Sequence, residues 1–583
     1  MKKSKKTIIS AACALLALLT TACSNDDVVD GNKNGQIDAK KNIEFSLKFD
    51  DYNAGDTIDH ATRAAQDAEL AKPRIIPMGD MMYAEVSMQR DTTKASPKEK
   101  AAATRALSNG TYTIYAYQGT TLKGTLTGTV VSNIFTPTSS NQEIGLEPGT
   151  YTFVCCNDKV HVSGETWTID RADAETARIG IAAGKVVTAT PNKQKVAFEM
   201  KHVASRARIQ IQADGFPIWD ATATFASTAN IPAKVEFNTA TQSYTMKEDE
   251  SFTKNITFQP GVHDDFERRP FNYDNITNVI YSPNDGSYYP FLPTTNGANL
   301  KLTLTGGTAY RLPLNGRSVT FPALTSMNPN GSYTLRLKLH YNYFYLFSDG
   351  TIGQKTDANF KTKTPIAVVV SRSKRTAAAL NDIDTRTISN YKWGKDNTTT
   401  TTTAGSPSYL SDLNGYDLTH STTYSTDGIV KGNDATNYPA FYAAAHYNPG
   451  VTITGANVGK WYLPSMGEWN LYFKNLVFLS DRDLNSSAAQ YPYLCPEIYV
   501  FNNMEYKFHG YNNNFSVLYA SSSEISQSKY YSYVSMEGSM NSFSHFPYFD
   551  CRHQVRDIDK GIKTGPPSPN SEVHLFIRPF IHY

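Results

Sequence analysis

The chain has 583 residues, enough for three or four domains at roughly 150 residues each. Hydrophobic residues make up 40% and charged residues 19%, with 36 Tyr and 28 Phe, which excludes a disordered chain, a coiled coil and a polytopic membrane protein. The formal charge of +2 turns slightly negative once Lys2, Lys3, Lys5 and Lys6 of the leader are set aside, so there is no basic stripe for a nucleic-acid partner.

Residues 1–22 read as a secretory signal: a basic start, then the apolar run 8–19, too short to span a bilayer. It ends Leu19-Thr20-Thr21-Ala22-Cys23, a small residue before a cysteine. That is the pattern of a bacterial lipobox, so Cys23 is the expected lipidation (palmitate) site and the start of the mature chain. Of the other cysteines, Cys155 and Cys156 are adjacent, and neighbours in a strand face opposite ways. Cys495 and Cys551 are a candidate disulfide in an exported protein. No CxxC, HExxH or Cys/His cluster exists, so no metal is expected. The stretch 30–38 looks like an EF-hand loop, but the twelfth position is Lys41 and a polar tether is the better reading.

The first strand is expected over 42–50, where Ile43, Phe45, Leu47 and Phe49 alternate with Glu44, Ser46 and Lys48. A second short strand is expected over 82–88, followed by a charged connector. Strands then follow at 110–119, 123–131, 149–156, 196–200 and 207–213, and again at 233–238, 243–246, 300–304, 309–314 and 333–347. The turn residues between them suit β-sandwiches, and Gly306-Gly307 reads as a hairpin turn. After Phe347 the pattern changes. Residues 366–370 form an unbroken apolar run, expected to be a strand buried on both faces. Ser465 and Glu468 have capping-box spacing, and Trp469, Tyr472, Phe473 and Leu476 share one helix face.

Three features resemble the fimbrillin superfamily of Bacteroidetes, subunits of type V pili. They are the lipoprotein start with its apolar strand, the opening Leu107-Ser108-Asn109-Gly110-Thr111-Tyr112-Thr113-Ile114-Tyr115-Ala116-Tyr117, and the strand His202-Val203-Ala204-Ser205-Arg206-Ala207-Arg208-Ile209. Ser24-Asn25-Asp26-Asp27 also resembles the acidic stretch that directs lipoproteins to the outer face of the outer membrane in those bacteria. The C-terminal part resembles a C-type-lectin-like domain, on the segments from Trp461-Tyr462-Leu463-Pro464-Ser465 to Glu468-Trp469, Tyr519 to Glu524, and Ile577-Arg578-Pro579-Phe580. In that motif Trp461, Leu463, Pro464, Ser465, Glu468, Trp469 and Arg578 are read as structural. Cys495-Pro496-Glu497 departs from the calcium-lectin site, which leaves a calcium-bound sugar in doubt.

The resemblances imply a mainly β chain. A tether (23–106) carries a removable strand (42–50), and two fimbrillin-like β-sandwiches (107–200 and 201–345) precede an α+β C-type-lectin-like domain (346–583) expected to fold independently. They imply proteolytic processing after Arg63 or Arg105, each in a Thr-Arg-Ala sequence. The strand of Ile43, Phe45, Leu47 and Phe49 would then leave a groove for another pilus subunit's donor strand. The expected function is a structural and adhesive fimbrium component at the tip, meeting a host or bacterial surface protein or glycan. The alternative is an outer-membrane, glycan-binding lipoprotein that does not polymerise. No nucleophile elbow, P-loop or dinucleotide motif is present, so neither enzymatic activity nor a cofactor is expected. Ligand contacts are expected from the loops 372–460 and 480–514.

Overall fold

The structure, a computed structural model, describes residues 36–53, 72–79, 81–91, 110–131, 133–138, 144–189, 194–213, 218–260, 280–321, 327–384, 411–425, 427–476, 514–525, 530–540, 547–557 and 574–583. Cys23, Arg63, Arg105 and Cys495, and the side chain of Cys551, lie outside the described residues. The fold is mainly β, as the period-two alternation requires.

Seven strands close a barrel in the order Arg178–Val187, Gln194–His202, Ile43–Phe49, Ile134–Pro137, Thr121–Val131, Thr111–Gln118 and Gly149–Asn157. Its interior is filled by Phe45, Leu47, Ile114, Phe153, Cys155 and Phe198. The strand Gly149–Asn157 is apolar on both faces because a second layer covers its outside. Cys155 therefore joins the barrel core, while Cys156 joins the outer core of Trp167, Ile169, Val235 and Phe237. That outer layer is a four-stranded sheet, His161–Ser163, Thr166–Asp170, Ile231–Asn238 and Ser243–Glu250. The structure thus assigns strands 231–238 and 243–250 to the first unit, not to the second sandwich that begins at 201. The cause is Val235 and Phe237, whose strand pairs with Thr166–Asp170 and buries Trp167.

The second unit is built on a sheet that runs from Leu312–Pro313 through Leu300–Ala309, Ile218–Ser227, Thr253–Pro260, Tyr281–Pro283, Ser205–Ala213 and Ser332–Tyr341 to Met82–Arg90 and Arg74–Pro77. The last two strands come from the stretch expected to be a tether. Met82–Arg90 pairs with Ser332–Tyr341 over nine residues, and Met82, Ala84, Val86 and Met88 are at most 1% exposed. Gly306-Gly307 is not the hairpin turn. It forms an irregularity opposite Trp219 and Ala221, where a Cβ on Gly307 would lie 2.5 Å from the Trp219 carbonyl. The two-residue turn follows at Tyr310-Arg311. The expected strand 333–347 is interrupted at Asn342-Tyr343 into Ser332–Tyr341 and Phe344–Phe347.

In the C-terminal region a six-stranded sheet orders Ile352–Gln354, Phe344–Phe347, Pro365–Ser371, Thr376–Ala379, Phe580–His582 and Trp461–Tyr462. Residues 366–371 are buried throughout. The helix Met466–Asn475 starts at the expected capping box, where Glu468 Oε2 accepts from the Ser465 N–H at 2.8 Å. Trp469, Tyr472, Leu476 and Phe580 enter one continuous core with Leu335, Leu337 and Leu339 of the second unit, joined through Tyr343 and Tyr345. The boundary at 346 is therefore a bend in the chain and not a gap between cores, in contrast to the independent domain expected there.

Candidate functional site: the first strand and its latch

The strand Ile43–Phe49 alternates buried and outward residues as its sequence demands. Ile43, Phe45 and Leu47 are buried, and Glu44 and Lys48 face solvent. The Phe45 ring lies 5.6 Å from Phe153 and 6.2 Å from both Phe135 and Phe198. Phe49, half-buried, packs against Tyr112 at 5.6 Å.

Its two edges are held unequally. Along one edge it pairs in parallel with Gln194–His202 over seven residues, from Ile43 opposite Gln194 to Phe49 opposite Met200. Along the other the ladder is a single pair, Ser46 with Ile134, helped by Leu47 N–H donating to the Asn133 carbonyl at 2.8 Å. All other pairings recorded in this barrel are antiparallel. Parallel pairing is slightly weaker per residue and needs a long connection.

The segment just after the strand forms a latch, which sequence reading missed. Tyr52 stacks on His202 with ring centres 3.6 Å apart. The Arg206 guanidinium lies between two rings, 4.1 Å from Tyr52 and 3.9 Å from Tyr288. Asn53 binds both Asp91 and Ser332: its Nδ2 donates to the Asp91 carbonyl at 2.9 Å, and its Oδ1 accepts from the Ser332 N–H at 2.9 Å. Arg208 Nη2 donates to Asp91 Oδ1 at 3.0 Å. The His…Ala-Arg-Ile strand thus brings the tether's ends to the joint between barrel and second sheet. Only the arginines at alternate positions, 206 and 208, pointed to it in the sequence. Burial pushes the Tyr52 hydroxyl up to about 12. Beside it, burial pulls the Arg178 guanidinium down to about 10. Among the described residues Nε and Nη1 of Arg178 have no hydrogen-bond acceptor, so the latch covers a buried cation.

The residues of the C-terminal motif lie elsewhere and divide among three cores, one with Trp461, one with Leu463 and one with Trp469. Trp461, Leu463, Trp469 and Arg578 are buried. Arg578 is held by Asp382 and donates to the Tyr472 hydroxyl at 2.9 Å. Asp382 carried no sequence signal. His161, Asp170 and Asp173 bring ligand-type atoms within 4.8 Å, but Lys159 and Lys234 already pair with the two carboxylates at 3.2 and 3.4 Å. That cluster is a surface ion-pair network.

Fold and site together define a layered β protein whose first strand is a parallel insert completing a barrel. No family model and no curated protein matches the chain. Among solved structures it is similar to a fimbrial protein from Bacteroides vulgatus at 13% identity, covering 43% of this chain and 94% of that one with a TM-score of 0.28. It is similar to a fimbrial protein from Bacteroides ovatus at 12% identity, over 82% of this chain and 94% of that one, TM-score 0.18. A protein proposed to act in cell adhesion in Bacteroides uniformis matches at 17% identity over 40% and 86% of the two chains, TM-score 0.26. Scores this low carry no inference about the role of this chain.

Proposed function

We propose that this chain is a structural and adhesive subunit of a type V pilus, assembled by strand exchange. It is made as a lipoprotein precursor anchored through Cys23 on the outer face of the outer membrane. Proteolysis after Arg63 or Arg105 releases the first strand, and a neighbouring subunit's extended strand takes its place. The C-terminal region, read as C-type-lectin-like, suits a tip subunit that meets a surface protein or glycan.

The observation that carries this reading is the barrel's parallel seam, the one parallel pairing among its described strands. Ile43–Phe49 is an N-terminal insert held by a long ladder on one side and one pair on the other. Its departure would leave a slot lined by Phe135, Phe153, Val196, Phe198 and Met200, with strand edges on both sides. Strand addition fills such a slot, because backbone pairing supplies affinity and alternate side chains fill the pockets. Loss of the latch would also open Arg178 to water, which removes part of the cost of burying it.

The buried strand Met82–Arg90 supports Arg63 over Arg105. A cut after Arg105 would also detach this strand and expose Met82, Ala84, Val86 and Met88, whereas a cut after Arg63 frees Ile43–Phe49 with the short strand Ile37–Asp38, the turn Ala39–Asn42 and the latch, and leaves Met82–Arg90 in place. N-terminal sequencing of the surface form tests the proposal. A start at Ala64, and loss of fibres in Arg63→Ala combined with Arg105→Ala, is the expected result. A lipid-blocked start at Cys23 on a monomer that binds polysaccharide is the result expected of the non-polymerising lipoprotein.

A further inference from the structure

Where the second sheet meets the C-terminal helix, the surface opens into a cavity of about 760 Å³. That volume is typical of small-ligand sites. Its base is apolar, with Val370 and Leu476 only 2% and 3% exposed. One wall is aromatic: Tyr341 lies 4.6 Å from Tyr343 and 6.1 Å from Tyr310, ring centre to ring centre. The charged side chains among the lining residues are Arg311, Arg372 and Lys474, and none of the lining residues is acidic. Low-dielectric walls bearing one sign of charge concentrate the field for an anion.

The fold places these cations deliberately. Arg311 sits in the two-residue hairpin turn after Ala309, where Tyr310 and Arg311 both take positive φ, 53° and 57°. Asn-Gly is the usual occupant of such a turn, and bulky side chains resist the left-handed region. Here Tyr310 is anchored by its hydroxyl, which donates to the Leu339 carbonyl at 2.9 Å, and Arg311 stays exposed at the mouth. Arg372 is set over the Phe344 ring at 4.6 Å. The negative end of the helix Met466–Asn475 also faces this region. Lys474 in the last turn counters it, and Tyr343 donates its hydroxyl to the Leu476 carbonyl at 3.1 Å.

We propose that this cavity binds an acidic sugar, a pyranose bearing a carboxylate or a sulfate ester. A sugar ring has an apolar face that packs on a tyrosine ring and a rim of hydroxyls. The hydroxyls of Ser371 and Ser373, which bond each other at 3.2 Å, line the same cavity, and the Ser373 oxygen has a second lone pair to offer to that rim. The guanidinium forks match a planar carboxylate or a sulfate, which a neutral sugar lacks. The site stands whether or not the chain polymerises.

The test uses the chain from residue 24 to 583, titrated by calorimetry and saturation-transfer NMR with sialyllactose, sulfolactose and lactose. Binding of at least one acidic sugar, with lactose roughly tenfold weaker or worse, is expected from charge-assisted contacts. Arg311→Gln combined with Arg372→Gln should lose at least about tenfold in affinity with an unchanged unfolding midpoint, since both side chains are exposed. Arg336→Gln, a change of exposed charge outside the cavity lining, should leave affinity unaltered. Sialyllactose against sulfolactose identifies the anion. Equal binding of lactose, no binding of either acidic sugar at millimolar concentration, or full affinity in the double variant would each overturn the proposal.

Discussion

Phe45→Ala in the unprocessed chain measures how firmly the first strand is seated. Phe45 is 3% exposed and touches three aromatic neighbours from three different strands. Truncation removes the transfer free energy of the ring and leaves a space that Phe135, Phe153 and Phe198 can close only in part. Buried Phe→Ala changes cost about 3–5 kcal/mol, a figure that includes the lost edge contacts. For a domain of this size about 1 kcal/mol moves the midpoint by about 2–4 °C, so the barrel transition should fall by roughly 6–20 °C. Differential scanning calorimetry reads this directly. Ser46→Ala, on the outward face of the same strand, should stay within about 0.5 kcal/mol of wild type. A synthetic peptide of residues 42–50 should restore the transition in chains that lack the strand, and the same peptide carrying Phe45→Ala should not. If Phe45→Ala moves the midpoint no further than Ser46→Ala, the strand is not held by its apolar face and the slot does not exist.

Three further outcomes can be checked on the C-terminal half. Asp382→Ala removes the carboxylate paired with the Arg578 guanidinium, whose side chain is 2% exposed, and should cost about 3–5 kcal/mol in thermal unfolding, while Asp382→Leu with Arg578→Leu should recover part of it. Burial holds the half-buried His420 below its ordinary 6.5, against the pull of the Trp461 carbonyl. The unfolded ring then takes up its proton first, so this contribution is whole above about pH 6.5 and is lost as pH falls through the folded value. Urea midpoints should fall on acidification, and His420→Gln should flatten that limb. A chain ending at residue 350 exposes Tyr343 and Tyr345 and removes Trp469 and Phe580 from a shared core, so limited proteolysis should cut its second sheet faster than in the whole protein.

Elements with a period and a clean face were legible. The first strand showed its alternation, the run 366–370 showed burial on both faces, and the capping box at Ser465 marked its helix start. What failed depended on partners far along the chain. Nothing local in Val235 or Phe237 says that they cover Trp167, because a strand's sequence records how much of it is buried and not by which sheet. Gly306-Gly307 looked like a turn because glycine permits turns, but here it permits the close approach of Trp219 and Ala221. The turn itself fell on Tyr-Arg, a pair with no turn propensity. Tyr52 and Asn53 were invisible as a latch because their partners, His202, Arg206 and Ser332, come from remote strands.

The parallel seam also fixes an order in time. About 150 residues of chain separate Ile43 from the strand that receives it, and pairings of such long separation form slowly. A strand synthesised early is thus seated late. Until Gln194–His202 exists, Ile43, Phe45 and Leu47 are an exposed apolar segment, and Glu44 and Lys48 between them are the charges that discourage self-association. Hairpins such as Thr111–Gln118 with Thr121–Val131 close locally and early. Without Ile43–Phe49 the other six barrel strands still form one continuous open sheet. Under the proposed processing the chain would return to that open arrangement, so that folding and assembly would fill one and the same vacancy.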